Sequence, residues 1–274
     1  MDVRKHKLEG DKITFQQSPN HSGKFSEGLP DTIVIHYTAG ASLESSVKTL
    51  CDPRSKASAH LVVGKDGSMV QLVPFNTIAW HAGKSSYKSR IGLNQYSIGI
   101  EIDNAGRLTK SVKGYTSWFG REYPEAEVIE AVHRNEKTPD FWHRYTEDQI
   151  QVAQEICSEL IESYPISTIV GHEEISPGRK SDPGPAFPLD KLRERVLIRE
   201  RGVDQEPVTT AATDQAGMVT ANKLNIRSAP SLNAETVASP LPRGTILDIM
   251  EESQGWYQVE LKIKGWVKAE YVKR

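Results

Sequence analysis

Cysteine is nearly absent: Cys51 and Cys157 are the two in a chain of 274 residues. That is too few for a disulfide scaffold. Cys157 shares an apolar helical face with Ile150, Ala153, Leu160 and Ile161, so it reads as a buried structural thiol packing like a small hydrophobe. An excess of one charge is missing as well. Lys and Arg number 34 against 36 Asp and Glu, a formal net charge of −2, and this makes no electrostatic case for nucleic acid or an anionic membrane. No apolar run could span a bilayer, and the N-terminus MDVRKHKLEGDKITF lacks the hydrophobic stretch of a secretory signal. Synthesis without a targeting device, in the cytoplasm, is the expectation. Several catalytic motifs are missing too. There is no G-x-S-x-G elbow and no Walker loop, and "HEEIS" is not the metalloprotease HExxH because position 176 is serine.

What remains, 37% apolar and 26% charged residues, is the composition of a soluble globular protein long enough for one sizeable domain and a small one. "TIVIH" is a β-branched run ending on His36. "AHLVVGKDGSMVQLVP" reads as a hairpin turning at Asp66-Gly67. "SIGIEID" alternates, with Ile98, Ile100 and Ile102 on one face and Ser97, Gly99 and Glu101 on the other, and "ISTIVGH" ends on His172. Helices separate them: "SLESSVKTL", with Leu43, Val47 and Leu50 on one stripe; "TEDQIQVAQEICSELIESY", opened by the capping pair Thr146 and Gln149; and "LDKLRERVLI". The fold class this predicts for residues 1–201 is α/β, a mixed central β-sheet flanked by helices.

Residues 202–216 have linker composition, small, polar and without period. Residues 217–274 then change to short strands alone, "GTILDIM", "WYQVELKI" and "GWVKAEYV", which predicts a small all-β barrel reliant on its Trp and Tyr residues for burial.

A hydrolytic zinc site needs about three protein ligands and an open position for water. His36 and His172 each end an apolar strand, where side chains emerge at a sheet edge. Asp182 follows inside GHEEISPGRKSDPGPAF, whose prolines and glycines restrict the backbone enough to hold a ligand without regular structure. From the residues alone other readings stay open, since strand-end histidines are often satisfied by backbone and a Pro/Gly-rich segment is often just a loop.

"IVIHYTAG", "SAHLVVGKDGSMVQLVP", "AWHAG", "NQYSIGIEIDN" and "GHEEISPGRKSDPGPAF" stand in the order and spacing of zinc-dependent N-acetylmuramoyl-L-alanine amidases, which this chain resembles over roughly residues 30–200. These belong to the superfamily shared with peptidoglycan recognition proteins and phage amidases. Residues 223–272 separately resemble a bacterial SH3-like domain, a module commonly attached to cell-wall hydrolases. The resemblance implies the amidase fold, one Zn²⁺ per chain held by His36, His172 and Asp182, and Glu101 and Lys180 as the catalytic pair. Glu101 would take a proton from the zinc-bound water and pass it to the leaving amine, and Lys180 would meet the oxyanion on the lactyl carbonyl. The bond cut would be the amide between muramic acid's lactyl group and L-alanine. Some relatives use cysteine as third ligand and a tyrosine at the position of Ala59; here Asp182 and Glu101 mark the other branch.

His60, Trp80, His81 and Asn94 fall in matched blocks and are expected to line the substrate groove. The polar, aromatic-bearing stretch 104–145 is expected either to form a flap stacking on sugar rings or to anchor itself to the domain. Peptidoglycan or muropeptides are the implied partners, nucleic acid is not, and a monomer is expected. The setting would be a phage endolysin, a delivered effector or autolysin, or a cytoplasmic recycling enzyme. Two other classes fit less of the chain: a non-catalytic peptidoglycan-binding recognition protein, which the complete ligand set argues against, and an adaptor binding proline-rich peptides, which leaves the first two hundred residues unexplained.

Overall fold

The computed structural model describes residues 1–112, 114–197, 215–219, 223–231, 234–242, 245–253 and 256–260. The chain divides into two compact units, Met1–Gln205 and Glu206–Arg274.

In the first unit the main strands are β1 (Ile13–Phe15), β2 (Thr32–Tyr37), β3 (Leu61–Val63), β4 (Met69–Gln71) and β5 (Ser97–Ile102), then β6 (Arg107–Ser111), β7 (Gly114–Thr116), β8 (Glu122–Tyr123), β9 (Val128–Val132) and β10 (Pro139–His143), and finally β11 (Thr168–Gly171). The helices are α1 (Leu43–Leu50), α2 (Glu147–Ser163), α3 (His172–Ile175) and α4 (Leu189–Leu197). A six-stranded sheet has the order β11-β2-β5-β3-β4-β1. β2 lies parallel to both β5 and β11, whereas β3 and β4 form the antiparallel hairpin expected at Asp66-Gly67. The sheet is therefore mixed, as its sequence pattern predicts.

Alternation along these strands decides what each face buries. Ile33, Ile35, Ile98, Ile100, Ile102 and Ile169 point to one side, where Ala153, Ile156, Cys157 and Leu160 of α2 and Leu192 and Val196 of α4 close a single core. Cys157 is fully buried there. α2 starts where the sequence places it: Thr146 Oγ1 accepts from Gln149 N–H, and Gln149 Oε1 accepts from Thr146 N–H, so two otherwise orphaned donors are satisfied reciprocally. On the opposite side α1 covers Val62, Leu72 and Val73 through Val47. Val34, Val170, Leu93 and Ile175 form a separate small cluster there. His36 lies on this second face, two residues beyond Val34.

The first thirty residues contribute more than their sequence suggests. β1 extends the sheet beside β4, and His21–Lys24 pairs with Thr77–Ala79. The stretch 104–145 is not loop: β8-β7-β6-β10-β9 form a second, antiparallel sheet. Cross-strand pairs of Trp142 with Arg107 and Ile129 organise it.

In the second unit β12 (Gln215–Met218), β13 (Ile246–Ser253) and β14 (Trp256–Glu260) form a three-stranded antiparallel sheet, and Lys223–Leu224 pairs with Leu241–Pro242. Two of the three predicted strands are thus present. The third, "GWVKAEYV", lies outside the described residues, as does the predicted linker 202–216 apart from Gln215 and Ala216.

Candidate active site

Three side chains from separated parts of the chain meet at one point. β2 delivers His36, α3 begins with His172 directly after β11, and the Pro/Gly-rich segment returns Asp182. His36 Nδ1 lies 2.9 Å from His172 Nδ1, and Asp182 Oδ2 lies 2.9 Å from each. All three residues are buried, His36 being 1% exposed. Burial, with the neighbouring His172, pushes the His36 pKa down to about 4, so its ring is neutral at pH 7. Burial by itself would raise the Asp182 carboxyl, but hydrogen bonds to His172 and His36 outweigh it and hold that carboxyl well below its ordinary range. Two imidazoles and a carboxylate, converging through one atom each, are a donor set suited to zinc.

Glu101 stands beside this group. In the parallel register of β5 against β2 its partner is His36, so both side chains leave the same face of the sheet. Its Oε2 is buried and has no hydrogen-bond partner among the described residues. Burial, then repulsion from Asp182, raises its pKa well above the ordinary carboxyl value, and Lys180 opposes the shift. A buried, unpaired carboxyl oxygen costs about 1–3 kcal/mol, and such costs concentrate at functional sites. Lys180 is exposed two residues before Asp182, and its charge is felt by both His36 and Glu101.

The four residues expected to line a groove lie in different settings. Trp80 is half-buried and its indole N–H donates to Ser22 Oγ at 2.8 Å. His81 touches the cluster: its Nδ1 is 3.0 Å from His36 Nε2, and its Nε2 is 3.1 Å from the Ser97 carbonyl. Asn94 Oδ1 accepts from the backbone N–H groups of both His81 and Ala82. His60 has no exposed surface; its Nδ1 accepts from Gly99 N–H and its Nε2 donates to Thr77 O. From the alternation alone, the small side chains of Ser97 and Gly99 on the Glu101 face of β5 would leave that carboxyl room. The space above Gly99 instead holds the His81 ring, which a Cβ at Gly99 would overlap.

The setting of His60 gives a pH dependence. Burial lowers its pKa to about 4, against a smaller opposing effect of the Thr77 carbonyl. A depressed histidine stabilises the fold fully above its unfolded value near 6.5 and loses that contribution as pH falls toward 4. Denaturant unfolding at pH 7.5 and pH 5 should show wild type losing about 2 kcal/mol more than His60→Gln. Equal losses in the two proteins would contradict it.

The insert sheet was expected to be a flap or an anchor, and most of it anchors. Glu173, next to His172, takes His133 Nε2 at 2.6 Å and Gly184 N–H at 3.1 Å on Oε2, and Arg134 Nε at 2.8 Å on Oε1. Glu174 pairs with Arg134 and Arg193. Asn135 donates to Glu173 O, and Glu173 N–H donates to Asp182 O. Trp142, 1% exposed, packs beneath Gly184, whose φ of +71° already favours glycine. The β9–β10 hairpin therefore braces the segments carrying His172 and Asp182. The sequence offered one signal for this, His133 in a polar run, and nothing to tie it to Glu173.

Residues 26–185 match the N-acetylmuramoyl-L-alanine amidase family and residues 222–273 match the bacterial SH3 domain. The chain is 33% identical over 200 residues to the 1,6-anhydro-N-acetylmuramyl-L-alanine amidase AmpD of Salmonella typhimurium, covering 66% of this chain and 88% of that protein. It is 32% identical over 175 residues to the N-acetylmuramoyl-L-alanine amidase AmiD of Escherichia coli, covering 60% of this chain and 52% of that one. A crystal structure of an AmpD derivative superposes with a TM-score of 0.51 at 26% identity, over 72% of this chain and 99% of that one. Among the described residues no helix is long and apolar enough to cross a membrane. With these matches spanning the strands, the histidines and the returning aspartate, the chain belongs to the N-acetylmuramoyl-L-alanine amidase family and is an enzyme of that class.

Proposed function

We propose that His36, His172 and Asp182 hold a single Zn²⁺, that Glu101 carries the proton of the reaction, and that Lys180 faces the oxyanion. The observation that carries this reading is the convergence of three donor atoms beside a buried carboxyl oxygen with no partner among the described residues. When bound, zinc supplies Lewis-acid polarisation and makes water nucleophilic near neutral pH.

The chain's own residues supply the rest. The insert and the Tyr145 hydroxyl, which donates to Pro183 O at 2.8 Å, fix the Asp182 segment before substrate arrives, and such preorganisation spares reorganisation during reaction. Glu101, its pKa raised well above the ordinary carboxyl value by burial and by Asp182, can take a proton from the attacking water and return it to the amine of L-alanine as that group leaves. Its Oε2 has no partner to surrender first among the described residues. The Lys180 ammonium stabilises the negative charge that builds on the lactyl oxygen. The substrate class is a muropeptide. The names of the AmpD relatives support acceptance of a 1,6-anhydro end, while an SH3 domain supports binding to polymeric wall. An N-terminal amidase domain (1–201), a linker (202–216) and a C-terminal wall-binding domain (217–274) remain the organisation we favour.

Mass spectrometry of products tests the reading on two substrates, purified peptidoglycan and a soluble 1,6-anhydro-muropeptide. Stem peptides with new L-alanine amino termini should appear, vanish with a chelator and return with Zn²⁺. Activity unaffected by exhaustive chelation would overturn the metal assignment.

One aromatic of the insert fits the flap expectation. Trp118 is 77% exposed, and its indole N–H donates to Ala39 O at 2.8 Å, three residues past His36. It is positioned to offer a ring face to a sugar at the rim of the site. Trp118→Ala should raise KM roughly fivefold with an unchanged melting temperature, while Trp142→Ala in the core should cost about 3–5 kcal/mol of stability. An unchanged KM in Trp118→Ala would remove the stacking role.

A further inference from the structure

We propose that Glu173 is a positioning residue of the metal centre, tying the His172 and Asp182 segments to the tip of the insert hairpin so that zinc binding and the order of that hairpin form one linked equilibrium. The proposal rests on the metal-centre reading of His36, His172 and Asp182. It deepens that reading by giving a task to a buried carboxyl that supplies no atom to the donor cluster.

Regular structure does not set the spacing of the two ligands it joins. His172 and Asp182 stand ten positions apart. Between them the chain makes one helical turn, α3, and then runs through residues 176–182 without helix or strand. Glu173 bridges that gap with its own groups. Its N–H donates to Asp182 O at 2.8 Å, and its Oε2 accepts from Gly184 N–H at 3.1 Å. The backbone on the Asp182 side is therefore held at 182 and at 184 by the residue that directly follows His172.

The insert engages the remaining groups of the same residue. Directly after β9, His133 Nε2 lies 2.6 Å from Glu173 Oε2, Arg134 Nε lies 2.8 Å from Oε1, and Asn135 Nδ2 donates to Glu173 O at 3.0 Å. The backbone N–H, the backbone carbonyl and both carboxyl oxygens of Glu173 are thus all in use. The His133 ring is as deeply buried as Glu173 and stacks on Trp142 with centroids 5.5 Å apart. Trp142 in turn packs beneath Gly184. The hairpin therefore reaches the Asp182 segment by two routes, one polar and one apolar. A bond left unmade in a buried polar network is costly, so the contacts at 133–135 and the spacing of His172 from Asp182 hold or loosen together. Groups that orient metal ligands typically change affinity about 10–100-fold when removed. Coupling between two sites is reciprocal, so zinc must stabilise the hairpin by the same factor by which the hairpin tightens zinc.

The test uses the full-length chain at neutral pH with two readouts besides activity. Chelator competition gives the Zn²⁺ dissociation constant, and hydrogen–deuterium exchange follows the backbone with and without Zn²⁺. In wild type, Zn²⁺ should slow exchange across residues 128–143 about 10–100-fold. It should leave β1, at the far edge of the main sheet from β11, unchanged. His133→Phe keeps a ring against Trp142 and removes the bond to Glu173. That variant should weaken Zn²⁺ binding about tenfold and shrink the effect of zinc on insert exchange by the same factor. Glu173→Ala should weaken binding at least as much, and Glu173→Gln, which retains an acceptor oxygen, should recover part of the loss. A brace serving stability alone would lower the melting temperature of the metal-free variants while the dissociation constant moves less than twofold, and that result overturns the proposal. Equal exchange of residues 128–143 in wild type with and without bound Zn²⁺ overturns it as well and needs no variant to fold. A wild-type chain that binds no Zn²⁺ overturns the metal-centre reading itself.

Discussion

Glu101→Gln is expected to lower kcat about a thousandfold on peptidoglycan or muropeptide while zinc content stays at one per chain. The substitution keeps shape and removes the ability to take a proton. Glu101 sits on β5 opposite His36 and contributes no atom to the three-residue cluster, so metal retention separates its role from ligation. Stability should hold or rise. The native carboxyl is buried, repelled by Asp182 and left with an oxygen unpaired among the described residues, and a neutral amide relieves the ionic part of that cost. Elemental analysis, a thermal melt and steady-state kinetics on the same preparation check all three expectations. A kcat within tenfold of wild type would exclude Glu101 as the proton carrier.

Asp182→Ala should abolish activity by another route, with zinc lost and the fold retained. Asp182 brings the one formal negative charge of the cluster and reaches both Nδ1 atoms from a single oxygen. Removing it leaves two imidazoles, and Zn²⁺ affinity should fall by more than about a hundredfold, beyond the usual effect of a supporting partner. The backbone of the segment stays tied, because Glu173 N–H bonds the Asp182 carbonyl and Tyr145 the Pro183 carbonyl. Near-native circular dichroism with zinc absent is the expected pair of results. A variant that still binds zinc at wild-type affinity would remove Asp182 from the ligand set.

Both substitutions act on residues whose roles come from the family resemblance, while local pattern supplies the elements that carry them. A β-branched run that stops on a histidine, twice, marks two sheet edges. Period-two alternation in SIGIEID fixes which face Glu101 takes, because successive side chains of a strand must point oppositely. The Thr146/Gln149 pair fixes where α2 starts, since capping is satisfied within one turn.

Neighbours across the sheet were beyond that reach. Alternation assigns Glu101 a face, but only the pairing of β5 with β2 sets it beside His36. Gly99 looked like room for a glutamate until the turn after Thr77–Ala79 laid the His81 ring over it. His60 and His81 are indistinguishable as sequence, yet one is enclosed by backbone partners and the other touches His36. Trp118 and Trp142 share one polar insert, and only its folding into a sheet buries the second and exposes the first. The sequence by itself determined the alternating faces, the helix caps and the residues able to bind a cation, because each depends on a few consecutive residues. Tertiary structure decided which of them meet, because strand register and packing join positions up to 146 residues apart, and no local pattern encodes such a distance.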